Sequence, residues 1–541
     1  MIPARGGRIL AGSRPTRHAT PEGGRGPMPD RTAPWGTEMT NRTQAARRLL
    51  GAALVCLAAA TAPGSTVGAG QQGRPNILFA IADDWGRDHA GAYGCTWVGT
   101  PAFDRVAREG VLFSNCFTSN PKCSPCRASI LTGRNTWQLE EACNHFGLFP
   151  HKWPVYPDLL ERAGYHVGYT GKGWGPGDFR AGGFDRNPAG PGYSEHLARP
   201  PHASMSNVDY ARNFEAFLQD RGEGEPFCFW YGATEPHRAY EEGAGLRAGR
   251  DPESVTVPSY YPDNGTVRSD LLDYALEVEW FDAHLGRMID HLESIGELED
   301  TIIVVTSDHG MPFPRVKGQI YDDGFHLPLA VRWGAEASPG RVVEDFINVR
   351  DFAPTFLEAA GVEIPGSITG RSFLALLSSD GSGWVDESRN RMLVGKERHD
   401  LGRPLDAGYP VRAIRTPEYL YVHNFEPDRW PAGNPETSYP NVDNGPTKTL
   451  LASRFDDFYR LSFGKRPREE LYVVSEDPDC VRNLARDPEH RAIKERLRDE
   501  METALRAEGD PRMLGMGWIF DTYEYTGPRN HSYEAWLGHH R

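Results

Sequence analysis

Residues 76–84 read NILFAIADD. An unbroken apolar run, Ile77 to Ala82, stops on two carboxylates, Asp83 and Asp84. A run without polar alternation fits a strand covered on both faces. The layout returns at 301–310, TIIVVTSDHG, where the run stops at Ser307, Asp308 and His309. Between the two, His166–Thr170 stops at Gly171 and Lys172, and Phe227–Tyr231 stops near Glu235, Pro236 and His237. Helix-like segments at 101–110, 157–163 and 270–295 separate these runs; the last carries Leu271, Leu272, Ala275, Leu276 and Trp280 at helical spacing. Val111–Phe117 reads as a further strand and 351–361 as a further helix. Alternating β and α implies an α/β fold, a mostly parallel sheet between helices. In such sheets ligands bind beyond the carboxyl ends of the strands. Four strand ends carrying Asp, Lys or His therefore mark a site.

Beyond about residue 390 the pattern changes. Arg412–Arg415, Tyr419–Val422 and Glu470–Val474 read as short strands, and a charged amphipathic helix follows at 488–507. These make a smaller C-terminal α+β domain, 390–541, beside a catalytic domain of 74–385. Segments 378–390 and 427–446 read as loops.

Residues 1–38 are rich in Arg, Gly and Pro without periodicity, an extension expected to carry no fold. From Met39 the pattern is that of a signal peptide, 39–69: Arg42, Arg47 and Arg48, an apolar run over 49–62, then small residues ending at Ala69. That run is too short to span a bilayer comfortably. The mature chain is expected to be exported, periplasmic or secreted, with no membrane span. Net charge is −15, and residues 1–69 hold nine Arg against three acidic groups, so the remainder stands at −21. This argues against nucleic acid as a partner. An anionic substrate would need a local basic pocket. Seven of the eight cysteines lie beyond the signal, an odd number, which leaves one for a separate task.

Residues 123–134, CSPCRASILTGR, hold two of them three apart. A structural zinc site needs four ligands, and no second pair exists. A redox pair belongs in a smaller thioredoxin-like unit. A disulfide or plain core thiols stay open on spacing alone. Pro125 suits the first turn of a helix running through Thr132 to Gly133. Residue 123 would then sit at a helix N-terminus, which favours an anion.

The longer pattern says more. Cys123-x-Pro125-x-Arg127 with Leu131-Thr132-Gly133-Arg134 closely resembles the signature of type I, formylglycine-dependent sulfatases. The resemblance covers most of 74–505 and implies an alkaline-phosphatase-like fold. It implies that a formylglycine-generating enzyme oxidises Cys123 to formylglycine. It further implies one divalent cation, Ca2+, held by Asp83, Asp84, Asp308, His309 and the modified Cys123. Converging carboxylates suit such a hard cation. Arg127 matches the residue that holds the aldehyde hydrate, Lys172 and His237 match sulfate-binding residues, and Lys317 matches the basic residue after the second metal motif. Three positions depart from the pattern: Cys126 replaces Ser, His309 replaces the Asn of many members, and Trp174 replaces a His that helps expel sulfate. His326 or His309 could take that role, or this branch manages without it.

Within the family the heparan N-sulfatase (sulfamidase) branch is most similar, through DHGMPFP at 308–314, GYPVR at 408–412, VHNF at 422–425, and Glu470-Leu471-Tyr472 with Asp477-Pro478. That branch places substrate-reading residues at Arg398 and His399, and His326 joins them as a candidate. A homodimer follows from the same likeness. The implied activity is hydrolysis of O- or N-linked sulfate from a sulfated carbohydrate. Two alternatives remain: a phosphonate monoester or phosphodiester hydrolase of the same superfamily, and a catalytically impaired glycan-binding protein, best supported by Trp174.

Overall fold

Strand β1 (Asn76–Ala82) is buried along its whole length. The computed structural model describes residues 73–334 and 336–540; the expected extension 1–38 and signal 39–69 lie outside the described residues. Alternation across β1 explains its continuous apolar run. Leu78, Ala80 and Ala82 join one core cluster. Ile77, Phe79 and Ile81 join another on the opposite face. Helices α1 (Pro101–Glu109), α4 (Tyr210–Asp220) and α5 (Gly265–Ser294) pack on the first face. Helices α2 (Cys123–Thr132), α3 (Tyr156–Arg162) and α6 (Phe352–Ala359) pack on the second. Helix α4 was not among the expected elements, although Tyr210, Phe214 and Phe217 share one buried face.

The expected strand over Val111–Phe117 is two strands, β2 (Val111–Phe113) and β3 (Cys116–Phe117). The chain leaves one sheet for another at Ser114, whose N–H donates to Val343. The main sheet is completed by β4 (His166–Gly171), β5 (Phe227–Gly232), β6 (Thr301–Ser307), β8 (Leu329–Trp333) and β9 (Arg341–Val343), in the order β4-β5-β1-β6-β8-β2-β9. A small sheet joins β3 to β7 (His326–Leu327) and β10 (Ile347–Asn348). The four strands that end in polar clusters are neighbours, and all their pairings are parallel. Only β8 runs against its neighbours β6 and β2 in the main sheet. Their ends are level: Gly171 and Ile81 both pair with Gly232, and Ala82 pairs with Ser307. Asp83, Lys172 and Asp308 therefore leave the sheet at one height.

The C-terminal sheet is antiparallel, with β11 (Met392–Lys396), β12 (Val411–Arg415), β13 (Tyr419–Asn424) and β14 (Glu469–Val473) in sequential order. Val411, Ala413, Leu420 and Val422 pack toward Phe117, Ile320 and Phe325. Ile414, Tyr421 and Leu471 pack under Leu497, Met501 and Leu505 of α7 (Arg491–Ala507). Among the described residues no helix is long and apolar enough to cross a membrane. The seven described cysteines are all unpaired.

Candidate active site

Helix α2 carries Cys123 at its first position, and every residue of it is buried. Pro125 falls in the first turn, where a missing N–H costs nothing because those donors lack helical partners. Gly133 closes the helix at φ 64°, donating its N–H to Ser129. Trp174 is buried and its indole N–H donates to the Ser124 carbonyl at 3.0 Å. Trp174 thus buttresses the turn that presents Cys123.

Gly171 brings the end of β4 against β5. Its φ is 72°, and a Cβ there would lie 2.1 Å from the Gly232 carbonyl, so only glycine fits. Lys172 follows, and its ammonium meets Asp83 Oδ2. Arg127, fully buried, donates to Asp308 Oδ2 at 2.9 Å, to the carbonyls of Lys172 and Gly173 at 2.9 and 3.1 Å, and to Asp83 Oδ1 at 3.4 Å. Lys317 Nζ bridges Asp84 and Asp443, 2.6 Å from each. Asp84 sits at φ 77°, a left-handed conformation uncommon for a non-glycine residue. Its N–H donates to Asp308 Oδ1 at 3.1 Å, which helps hold that turn.

Asp83, Cys123, Asp308 and His309 each offer a ligand atom, all within 4.8 Å of one another. His309 Nε2 lies 3.3 Å from Cys123 Sγ and 2.9 Å from Asp84 Oδ1. Its Nδ1 is 3.0 Å from the Gly310 carbonyl. That contact orients a ring whose other nitrogen can ligate a metal. Facing His309 Nε2, Asp84 Oδ1 is buried. Its lone pairs and those of His309 Nε2 converge. Oxygen-rich donors with one imidazole fit a hard divalent cation.

The charges are mutually held. Burial works against ionised Asp83, but Lys172 and Arg127 outweigh it and hold the carboxyl well below the usual range. Burial likewise opposes ionised Asp84, and Lys317 and His309 prevail. For Asp308, burial and the Asp83 charge push the carboxyl up to about 6. Burial disfavours charged His309, yet Asp308 and Asp84 raise it well above an ordinary imidazole. A cation there would compete with that proton. Burial and Asp83 oppose ionisation of Cys123, but Lys172, Lys317 and His309 together lower its thiol well below the usual value.

These groups form the floor of a cavity of about 820 Å³. Asp83, Cys123, Lys172, His237 and Lys317 line it. His237 is half-buried, with Nδ1 on the Arg238 carbonyl. The expected substrate-reading residues are placed otherwise. His326 does not line this cavity: its ring nitrogens meet Asp322 at 3.0 Å and the Ser114 carbonyl at 2.8 Å, and it borders a separate pocket. It is therefore not placed to take over from the missing His. Arg398 does not line it either; its guanidinium donates to the carbonyls of Tyr523 and Glu524 at 2.6 and 3.1 Å. His399 is buried behind the wall, 2.7 Å from Asn120 Oδ1. The next two residues, Asp400 and Leu401, do reach the cavity.

Sequence reasoning missed Lys122, His145, Arg238, Asp400 and Asp443, which also line the cavity. Lys122, Arg238 and Asp400 adjoin positions named from the sequence, and that adjacency was the available signal. His145 and Asp443 sit in loops that no spacing rule connects.

Comparison with known proteins places the fold and the family. The sulfatase family model matches residues 75–362, and the model for the C-terminal part of N-sulphoglucosamine sulphohydrolase matches 313–430. Human N-sulphoglucosamine sulphohydrolase is 29% identical over 474 residues, covering 79% of this chain and 89% of that protein. An ulvan-active sulfatase of Formosa agariphila is 27% identical, covering 81% of each. A chain solved in complex with its substrate D-glucosamine-2-N,6-O-disulfate superposes with a TM-score of 0.58 at 20% identity, covering 81% of this chain and 98% of that one. The phosphonate monoester hydrolase of Silicibacter pomeroyi has the same fold, with a TM-score of 0.58 at 20% identity over 81% of this chain and 96% of its own. With its alkaline-phosphatase-like sheet, its Cys123 motif and its match to the family model, the chain belongs to the sulfatase family.

Proposed function

We propose that this chain is an exported enzyme that hydrolyses O- or N-linked sulfate from a sulfated glycan. One observation carries the reading: Cys123 opens a buried helix N-terminus inside the cluster of Asp83, Asp308 and His309, beside Lys172 and Lys317. Export rests on residues 39–69, and the substrate class on the sulfated sugars named for its relatives.

Asp83, Asp84, Asp308 and His309, with residue 123, would hold one divalent cation; the carboxylates suit a hard ion, and the sulfatase resemblance implies Ca2+. The formylglycine hydrate made from Cys123 would supply the nucleophilic hydroxyl, and the cation a Lewis acid against charge on the sulfuryl oxygens. The chain's own groups do the rest. Lys172, Lys317 and the α2 N-terminus bind the sulfate anion and stabilise the charge that develops on it. Arg127 locks Asp308 and Asp83 in place by its four contacts. With Nδ1 engaged by the Arg238 carbonyl, His237 keeps Nε2 to give a proton to the leaving oxygen or nitrogen. Trp174 offers no acid–base group; its indole N–H fixes the Ser124 carbonyl instead.

The test is sulfate release from a panel of N- and O-sulfated saccharides, with an aryl phosphodiester beside an aryl sulfate. Release from saccharides, with peptide mass spectrometry showing loss of the thiol mass at residue 123, is expected. Faster cleavage of the diester would favour the phosphonate and phosphodiester reading. Tight saccharide binding without release would favour a binding protein. An active enzyme with an unmodified Cys123 would refute the mechanism.

A further inference from the structure

His145 is a buried histidine that no part of the proposed reaction uses. It lines the same cavity as Cys123 and is only 6% exposed. Its Nδ1 lies 2.7 Å from Asp400 Oδ1, and the other oxygen of Asp400 lies 2.9 Å from Lys122 Nζ. Burial opposes ionised Asp400, but Lys122 and His145 keep it a carboxylate. A carboxylate so held accepts a hydrogen bond from Nδ1–H and orients the ring. Nε2 then has no hydrogen-bond partner among the described residues. Leaving such a group unpaired in a buried site costs about 1–3 kcal/mol, which a ligand hydroxyl reaching it would recover.

The surroundings say what kind of ligand. Phe146 and Tyr525 line the cavity beside it, with ring centroids 5.2 Å apart. Thr526 donates its N–H and hydroxyl to the Phe146 carbonyl at 2.8 and 2.9 Å, tying the two segments together. Arg398 holds the carbonyls of Tyr523 and Glu524, and so anchors the strap that carries Tyr525. Apolar rings beside one oriented polar nitrogen suit a pyranose, which has an apolar C–H face and hydroxyls at its rim. The loop is also close to Trp174: Phe149 packs on its ring at 5.0 Å, and Asp178 donates to the Gly147 carbonyl at 3.1 Å.

We infer that His145, oriented by Asp400 and Lys122, is a substrate-positioning residue that hydrogen-bonds a hydroxyl of the sugar ring bearing the sulfate, while Phe146 and Tyr525 cover that ring's apolar face. The inference rests on the proposed function for its substrate class, and the test separates the two. The first measurement is kcat/KM of His145→Ala and His145→Gln on a sulfated saccharide and on an aryl sulfate. His145→Ala is expected to lose about 10–100-fold on the saccharide, at least tenfold more than on the aryl sulfate. His145→Gln, which keeps a polar group there, is expected to recover part of the loss. The second measurement needs no turnover: calorimetric binding of D-glucosamine-2-N,6-O-disulfate and of inorganic sulfate to Cys123→Ala, with and without His145→Ala. The disulfate is expected to weaken at least tenfold more than sulfate. Equal losses on both ligands, or no binding of the disulfate to either protein, overturn the inference. A shifted binding ratio with no sulfate release by the mature enzyme supports the inference and refutes the proposed activity.

Discussion

The floor and the wall of the cavity are built by different rules. The floor comes from four adjacent parallel strands whose ends are level, plus the first turn of α2. Its side chains are buried charges held by one another: Arg127 to Asp308 and Asp83, Lys172 to Asp83, Lys317 to Asp84. The wall comes from loops: 143–149, 400–401, 440–443 and the strap at 523–531. The wall brings aromatic rings and a buried histidine nitrogen that has no partner among the described residues. A floor of this kind suits one invariant anion, whereas loops on a rigid frame can vary with the sugar attached to it.

Substitutions at floor positions should therefore be drastic and indifferent to the sugar. Cys123→Ala is expected to lower turnover by about 10⁴-fold or more on every substrate, with an unchanged circular dichroism spectrum. A variant that retains substantial activity would break the comparison at its base. Lys317→Met removes the cation shared by Asp84 and Asp443. It should cost about 10²–10³-fold in kcat and, by leaving buried carboxylates unpaired, about 3–5 kcal/mol of stability in denaturant unfolding.

Wall substitutions should discriminate. Arg398→Ala frees the carbonyls of Tyr523 and Glu524, and is expected to raise KM for saccharides several-fold while changing kcat on aryl sulfate less than twofold. Equal losses on both would place Arg398 with the floor. Trp174→Phe tests the join between the two regions. It keeps the ring but loses the donor to Ser124, and should cost about 1 kcal/mol in thermal unfolding with a small fall in kcat.

The smallest effect is a pH slope. Glu277 borders the cavity, and burial together with Glu235 pushes its carboxyl up to about 8. Its folded value lies above the unfolded one, so between those values the native state binds more protons than the unfolded chain. Stability from this group is full below about pH 4.5 and falls as pH rises toward 8. Glu277→Gln should flatten the decline in melting temperature across that window. An unaltered slope would assign the decline to other groups.

How much was legible follows the same division. Asp83, Asp84, Asp308 and His309 each follow an apolar strand within two residues. Strand ends can be read locally, and the parallel sheet then brings them together. The Cys123 motif was equally local, because a helix start and its first turn are consecutive residues. The short strand Val111–Phe117 misled, because nothing local reports that the chain changes sheets at Ser114. His326 misled as well: a histidine after the second metal motif looked free, but Asp322 and the Ser114 carbonyl engage both its nitrogens.

The sequence by itself determined the mostly parallel α/β sheet, the polar clusters at its strand ends and the helix that presents Cys123. Periodicity and short-range motifs encode these directly. Only the tertiary structure decided that Trp174 buttresses α2, that Arg398 fastens a distant strap, and that Lys122, Asp400 and His145 form one chain of contacts. Those relations join residues between 50 and 278 positions apart along the chain, from Ser124–Trp174 to Lys122–Asp400. Such contacts follow from how layers and loops pack, and no local spacing in the chain records them.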